Sequence, residues 1–136
     1  MFRRIWRPRP ISAYEAQILR RLLQVGAGSA PSSLLLASID KLMVRQEGDG
    51  DFHNDSLDFG RVRGENNDII ASAIGLMAND APVELILWAR GDTVTFLELE
   101  PFDGTLRPIR MPRLESIRPY PETVGDDGEN GLIVGS

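Results

Sequence analysis

Between Asp68 and Met111 short apolar runs alternate with turn residues, and this stretch constrains the fold more than any other. Ile69 to Met77 is rich enough in β-branched residues for a strand, and Asn79-Asp80-Ala81-Pro82 follows as a turn cluster. In Val83 to Ala89, Val83, Leu85, Leu87 and Ala89 fall on one face, and Glu84, Ile86 and Trp88 on the other, because strand side chains alternate. Arg90-Gly91-Asp92 reads as a tight hairpin turn, with Gly91 free to take the positive φ it requires. Across Thr93 to Glu100, Leu97 and Leu99 share one face and Glu98 and Glu100 the other, the signature of a sheet wet on one side. Thr105 to Met111 reads as a fourth strand, confined to an edge or bulge by Pro108.

A helix is expected before this meander. Ser12-Ala13-Tyr14-Glu15 is a capping box, and Tyr14, Ile18, Leu22 and Val25, widened by Leu19 and Leu23, form an apolar stripe at helical spacing. Arg20 and Arg21 suit the negative end of the helix dipole, and Gly26 to Gly28 stops the helix. Leu34 to Ser38 fits either a helical turn or the start of a strand, since so short a run has no readable period. Ile39 to Gln46 reads as a strand with Leu42 and Val44 on one face and Lys41, Met43 and Arg45 on the other. Gly48 to Asp51 turns the chain, Ser56 to Phe59 returns as a short strand with Leu57 and Phe59 inward, and Leu114 and Ile117 dock through a short turn.

The expected architecture is therefore α+β: an N-terminal helix packed on an antiparallel β-meander of about five or six strands. The 136 residues suffice for one domain with its own core. Residues 1–9 form a basic arm, 10–120 the domain, and 121–136 an acidic tail with the Gly- and Asp-rich composition of disorder. The arm carries Arg3, Arg4, Arg7 and Arg9 among Phe2, Ile5 and Trp6. Two readings stand for it: contact with an acidic partner, membrane surface or RNA, or a lead-in that packs Ile5 or Trp6 onto the domain.

Several chemistries are disfavoured by composition. There is no cysteine, hence no disulfide framework, thiolate metal site or cysteine nucleophile, and a reducing cytoplasmic setting fits best. A net charge of −5 makes nucleic-acid binding by the whole chain unlikely. No apolar run reaches the roughly 20 residues of a membrane span, and the arginine-bearing N-terminus lacks the apolar core of a secretory signal. Gly26-Ala27-Gly28 lacks the strand and helix that flank a phosphate loop, and no cofactor is expected.

The candidate sites are acidic. From Glu47 to Asp68 seven acids face two arginines. His53, the single histidine, sits in Asp49-x-Asp51-x-His53-x-Asp55, followed by Asp58. Asp49, Asp51 and His53 are weak metal candidates: a calcium loop needs glycine and glutamate where Asn54 and Gly60 stand. Ser56 lies three residues from His53 but has no nucleophile elbow around it. A hydrolase or metal-dependent enzyme centred on His53 and its aspartates is the alternative reading. The leading one is a non-enzymatic interaction domain that recognises a basic protein partner through Asp49, Asp51, Asp55, Asp58, Glu98 and Glu100, with Trp88 and Phe96 as aromatic anchors.

The order Asp49-Gly50, Ser56-Leu57-Asp58-Phe59, Glu98-Leu99-Glu100, then Pro108-Ile109 and Pro112 resembles a family of small bacterial α+β domains. Phe52-His53-Asn54 lengthens a turn that is more glycine-rich in that family. The resemblance spans about Pro10 to Pro112 and implies an immunity or accessory protein of a bacterial toxin system, with a basic toxin as partner and no catalytic residues to transfer.

Overall fold

The computed structural model describes residues 8–45, 54–60, 66–102 and 108–120. Its elements are β1 (Arg9–Pro10), α1 (Ala13–Gly26), α2 (Ser33–Ser38), β2 (Met43–Val44), β3 (Leu57–Asp58), β4 (Asp68–Leu76), β5 (Pro82–Arg90) and β6 (Thr93–Pro101). Short 3-10 turns cover Ile39–Lys41 and Leu114–Ser116. The fold is α+β, with β3-β6-β5-β4 forming one antiparallel sheet and β1-β2 a second, two-stranded one. A bridge from Arg45 to Asp58 joins the two, its N–H···O bond 2.7 Å long.

The capping box forms as the sequence dictates. Ser12 Oγ accepts from the Glu15 amide at 3.1 Å, and Glu15 Oε1 accepts from the Ser12 amide at 2.9 Å. Glu15 also holds Arg9 in a two-pronged pair at 2.9 and 2.8 Å, which ties β1 to the start of α1. Ile18, Leu19, Leu22 and Leu23 are buried with Ala71, Ala73, Leu85 and Leu87, so the helix stripe covers one face of the sheet. Tyr14 stays 43% exposed instead and donates its hydroxyl to the Pro112 carbonyl at 2.7 Å.

Three expectations change, and the open reading of Leu34 to Ser38 is resolved. Arg20 and Arg21 lie before the last turn of α1: Arg20 pairs with Asp40 at 2.8 Å, and Arg21 donates to the Ile117 carbonyl at 3.2 Å. Leu34 to Ser38 is helical, started by Ser32 Oγ accepting from the Leu35 amide. The expected strand at Ile39 begins only at Met43, because Ile39–Lys41 continues the helical path as a 3-10 turn; Leu42 and Val44 are buried all the same. In the expected strand Thr105 to Met111, residues 103–107 lie outside the described ones, and Ile109 makes a lone parallel bridge to Asn54 rather than a rung of the meander.

The β4 edge of the sheet is covered by irregular chain. Along β4, Ile74 exchanges both backbone bonds with Arg118 at 3.0 and 2.9 Å, and the Leu76 carbonyl accepts from Arg113 at 2.9 Å. Ala27 bridges to Ala71 at the other end. Such cover removes the row of unpaired groups that would recruit another strand. The helix end comes so near that a Cβ on Gly26 would stand 2.1 Å from the Ser72 carbonyl oxygen, which explains glycine there.

Candidate protein-binding face

The helices take one face of the sheet and leave the other without a helix among the described elements. On β5 burial alternates strictly: Val83, Leu85, Leu87 and Ala89 are at most 1% exposed, whereas Glu84, Ile86 and Trp88 keep part of their surface in solvent. On β6 the same alternation puts Leu97 and Leu99 inside and Phe96, Glu98 and Glu100 outside.

The pairing register decides which outward residues meet. Glu84 stands opposite Glu100, Ile86 opposite Glu98, and Trp88 opposite Phe96. Near the turn the register slips, with Ala89 opposite Val94 and Thr95 left as an extra residue on β6. Thr95 is buried, and its hydroxyl lies 2.8 Å from Asn67 Oδ1. A matching slip between Ile69 and Ala71 on β4 puts Ile69, 54% exposed, opposite Trp88. The face thus has an apolar end built from Ile69, Trp88 and Phe96 and an acidic end built from Glu84, Glu98 and Glu100.

The acidic end is electrostatically crowded. Trp88 Nε1–H donates to Glu98 Oε1 at 3.0 Å, a diagonal cross-strand contact that fixes the carboxylate beside the indole. The Glu100 carboxyl is held above the usual carboxylate range, first by the hydrogen bond it shares with Glu98, then by lost hydration and by repulsion from Glu98 and Glu84. Glu84 is also raised, chiefly by lost hydration and then by repulsion from Glu98.

The other expected site residues lie elsewhere or outside the described residues. Asp49, Asp51 and His53 are outside them, as is the tail from 121. Asp55 braces the chain: its Oδ2 accepts from the Met111 amide at 2.9 Å, and Oδ1 lies 3.7 Å from Arg110. Asp58 Oδ1 accepts from the Gly60 amide at 2.8 Å, folding a turn in which Gly60 has φ 122°. Asp58 nevertheless sits opposite Phe96, at the margin of the open face. Ser56 Oγ donates to Asn54 Oδ1 at 2.7 Å and accepts from the Leu99 amide at 2.9 Å, so its hydroxyl extends the edge of β6.

No family model, curated protein or solved structure matches this chain. The reading of the site therefore stands on its geometry. Glu84 belongs with Glu98 and Glu100 although sequence reasoning picked out only the latter two. Its shared face with Trp88 was legible; its place opposite Glu100 depends on the slip at Thr95. Among the described residues no group of three or more His, Cys, Asp or Glu is placed to hold a metal ion, and no helix is long and apolar enough to cross a membrane.

Proposed function

We propose that this chain is a protein-interaction domain that receives a basic segment of another protein on the outer face of β4, β5 and β6. The observation that carries this reading is the gathering of Glu84, Glu98 and Glu100 beside Trp88 and Phe96. Like charges directly opposite on a sheet destabilise it, so such a cluster is at odds with folding alone and is relieved by a cation. An arginine or lysine brought between the three carboxylates supplies that relief, and the flanking rings and Ile69 offer apolar contact area. An immunity or inhibitor protein acting on a basic toxin would use such a surface.

The test is a salt-titrated pull-down from native lysate with the intact chain and with an E84Q/E98Q/E100Q variant as baits. A basic protein retained by the first and lost by the second is expected. Capture of the same proteins by both baits would overturn the assignment of this face.

A further inference from the structure

We infer that residues Met1 to Arg7 of this same chain dock on the acidic end of the open face. Arg9 pairs with Val44, Arg45 with Asp58, and Asp58 with Phe96. All these pairs are antiparallel. Reading backwards from Arg9 therefore runs the same way as reading forwards from Phe96 to Glu100. At Arg9 the strand thus points back toward the side on which Glu98 and Glu100 lie.

Reach follows from spacing. From β1 to β6 is three neighbouring chain paths, through Arg45 and through β3, or about 14 Å at about 4.8 Å each. Seven residues span up to about 23 Å when extended. Arg3 and Arg4 are five and four residues before Pro8, a reach long enough with their side chains to meet Glu98 and Glu100.

Complementarity supplies the reason to dock. The segment holds Arg3, Arg4 and Arg7 with Phe2, Ile5 and Trp6 and has no acid. The face offers three carboxylates, two of them raised above the usual carboxylate range, next to Ile86 and the aromatic pair. Three guanidiniums satisfy the carboxylates, and the apolar residues between them match the face's other component. The regulatory consequence rests on the function proposed above: a docked arm is a ligand in cis that an incoming basic partner must displace.

The chain has no cysteine, so a nitroxide can be placed at one position only, through Phe2→Cys in the full-length protein. Expected is broadening of amide resonances concentrated on Glu84 to Trp88 and Phe96 to Glu100. It should be lost in an R3E/R4E/R7E variant and in 1 M salt, where screening acts within about 3 Å. Broadening spread evenly over the domain, or unchanged by the arginine reversals, would overturn the inference. So would broadening that appears equally in an unlabelled copy mixed with the spin-labelled one, since the arm would then act between molecules. The reversals lie outside the described residues, and E84Q/E98Q/E100Q gives an independent loss from the other side. As bait, the arm-reversed protein should capture more of a basic partner than the native chain; a docked arm with no such partner removes the function proposed above and leaves this inference standing.

Discussion

Glu84 and Glu100 face each other directly across the β5–β6 ladder, two carboxylates in a position where sheets ordinarily place opposite charges or apolar pairs. Both are raised above the usual carboxylate range, Glu84 by lost hydration and then by repulsion from Glu98, Glu100 first by its hydrogen bond with Glu98, then by lost hydration and by repulsion from Glu98 and Glu84. A carboxyl raised in the folded state contributes stability below its unfolded pKa and loses that contribution as pH rises through the folded value. Near neutral pH the pair therefore opposes folding. E84Q and E100Q should each raise stability at pH 7.5, by about 0.5 kcal/mol or less because both groups are largely solvated. The gain should fade as the pH is lowered into the carboxylate range, and melts across pH 4 to 8 check it.

Glu15 has the opposite sign. Its carboxyl is held below the usual range, mainly by the Arg9 guanidinium and further by the Ser12 amide and hydroxyl, with partial burial acting against them. Its contribution is present above the unfolded carboxylate pKa and is lost as pH falls through the lowered value. Ser12→Ala should cost about 1 kcal/mol by freeing one donor of the first helical turn. Glu15→Gln should lose stability relative to the native chain at pH 7 and converge with it under acid conditions, as denaturant titrations at several pH values would show.

Gly26→Ala reverses the usual effect of adding alanine to a helix. Propensity alone favours alanine by about 1 kcal/mol. Here the added methyl would meet the Ser72 backbone oxygen at 2.1 Å, and neither helix nor strand yields without breaking its own bonds. A net loss of about 2 kcal/mol or more is expected. Gly28→Ala, with nothing within 4 Å of the new atom, should be close to neutral in the same denaturation assay.

Thr95 sets the register of the open face. Thr95→Val removes the hydroxyl that contacts Asn67 Oδ1 and should cost about 1–2 kcal/mol while leaving the sheet pairing in place. Inserting one residue between Phe96 and Leu97 would instead set Glu84 opposite Leu99, mixing buried and solvated faces. That insertion should abolish cooperative unfolding and the dispersed amide spectrum.

Trp88→Phe tests the anchor. It removes the indole N–H that Glu98 accepts but keeps a ring on the face. Stability should fall by about 1 kcal/mol, and any basic partner identified by pull-down should bind more weakly to W88F than to the native chain by calorimetry.

Much of the fold was legible in the sequence because it depends on local chemistry. The capping box, the α1 stripe, the alternation in β5 and β6, the Gly91 turn with φ 62°, and the inward Leu57 follow from side-chain period and turn preference. The sequence could not settle Leu34 to Ser38, where a short apolar run has no period, and it extended the strand at Ile39 too early for the same reason. Asp55 likewise looks like a surface acid until the chain returns at Met111 and supplies an amide to accept from.

By itself the sequence determined that Glu84, Ile86 and Trp88 share one side of their strand, and Phe96, Glu98 and Glu100 one side of theirs. Only the tertiary structure decided that these two sides are the same side. A hairpin closed on Gly91 and Asp92 without the slip would put outward residues opposite inward ones. The extra residue at Thr95, held in the interior and paired with Asn67, turns β6 by one position and gathers three glutamates on the face opposite the helices. Such a choice reaches beyond the hairpin: it is made by which pairing buries Leu97 and Leu99 with Leu85 and Leu87 under the helix stripe, and by Asn67, which lies outside both strands.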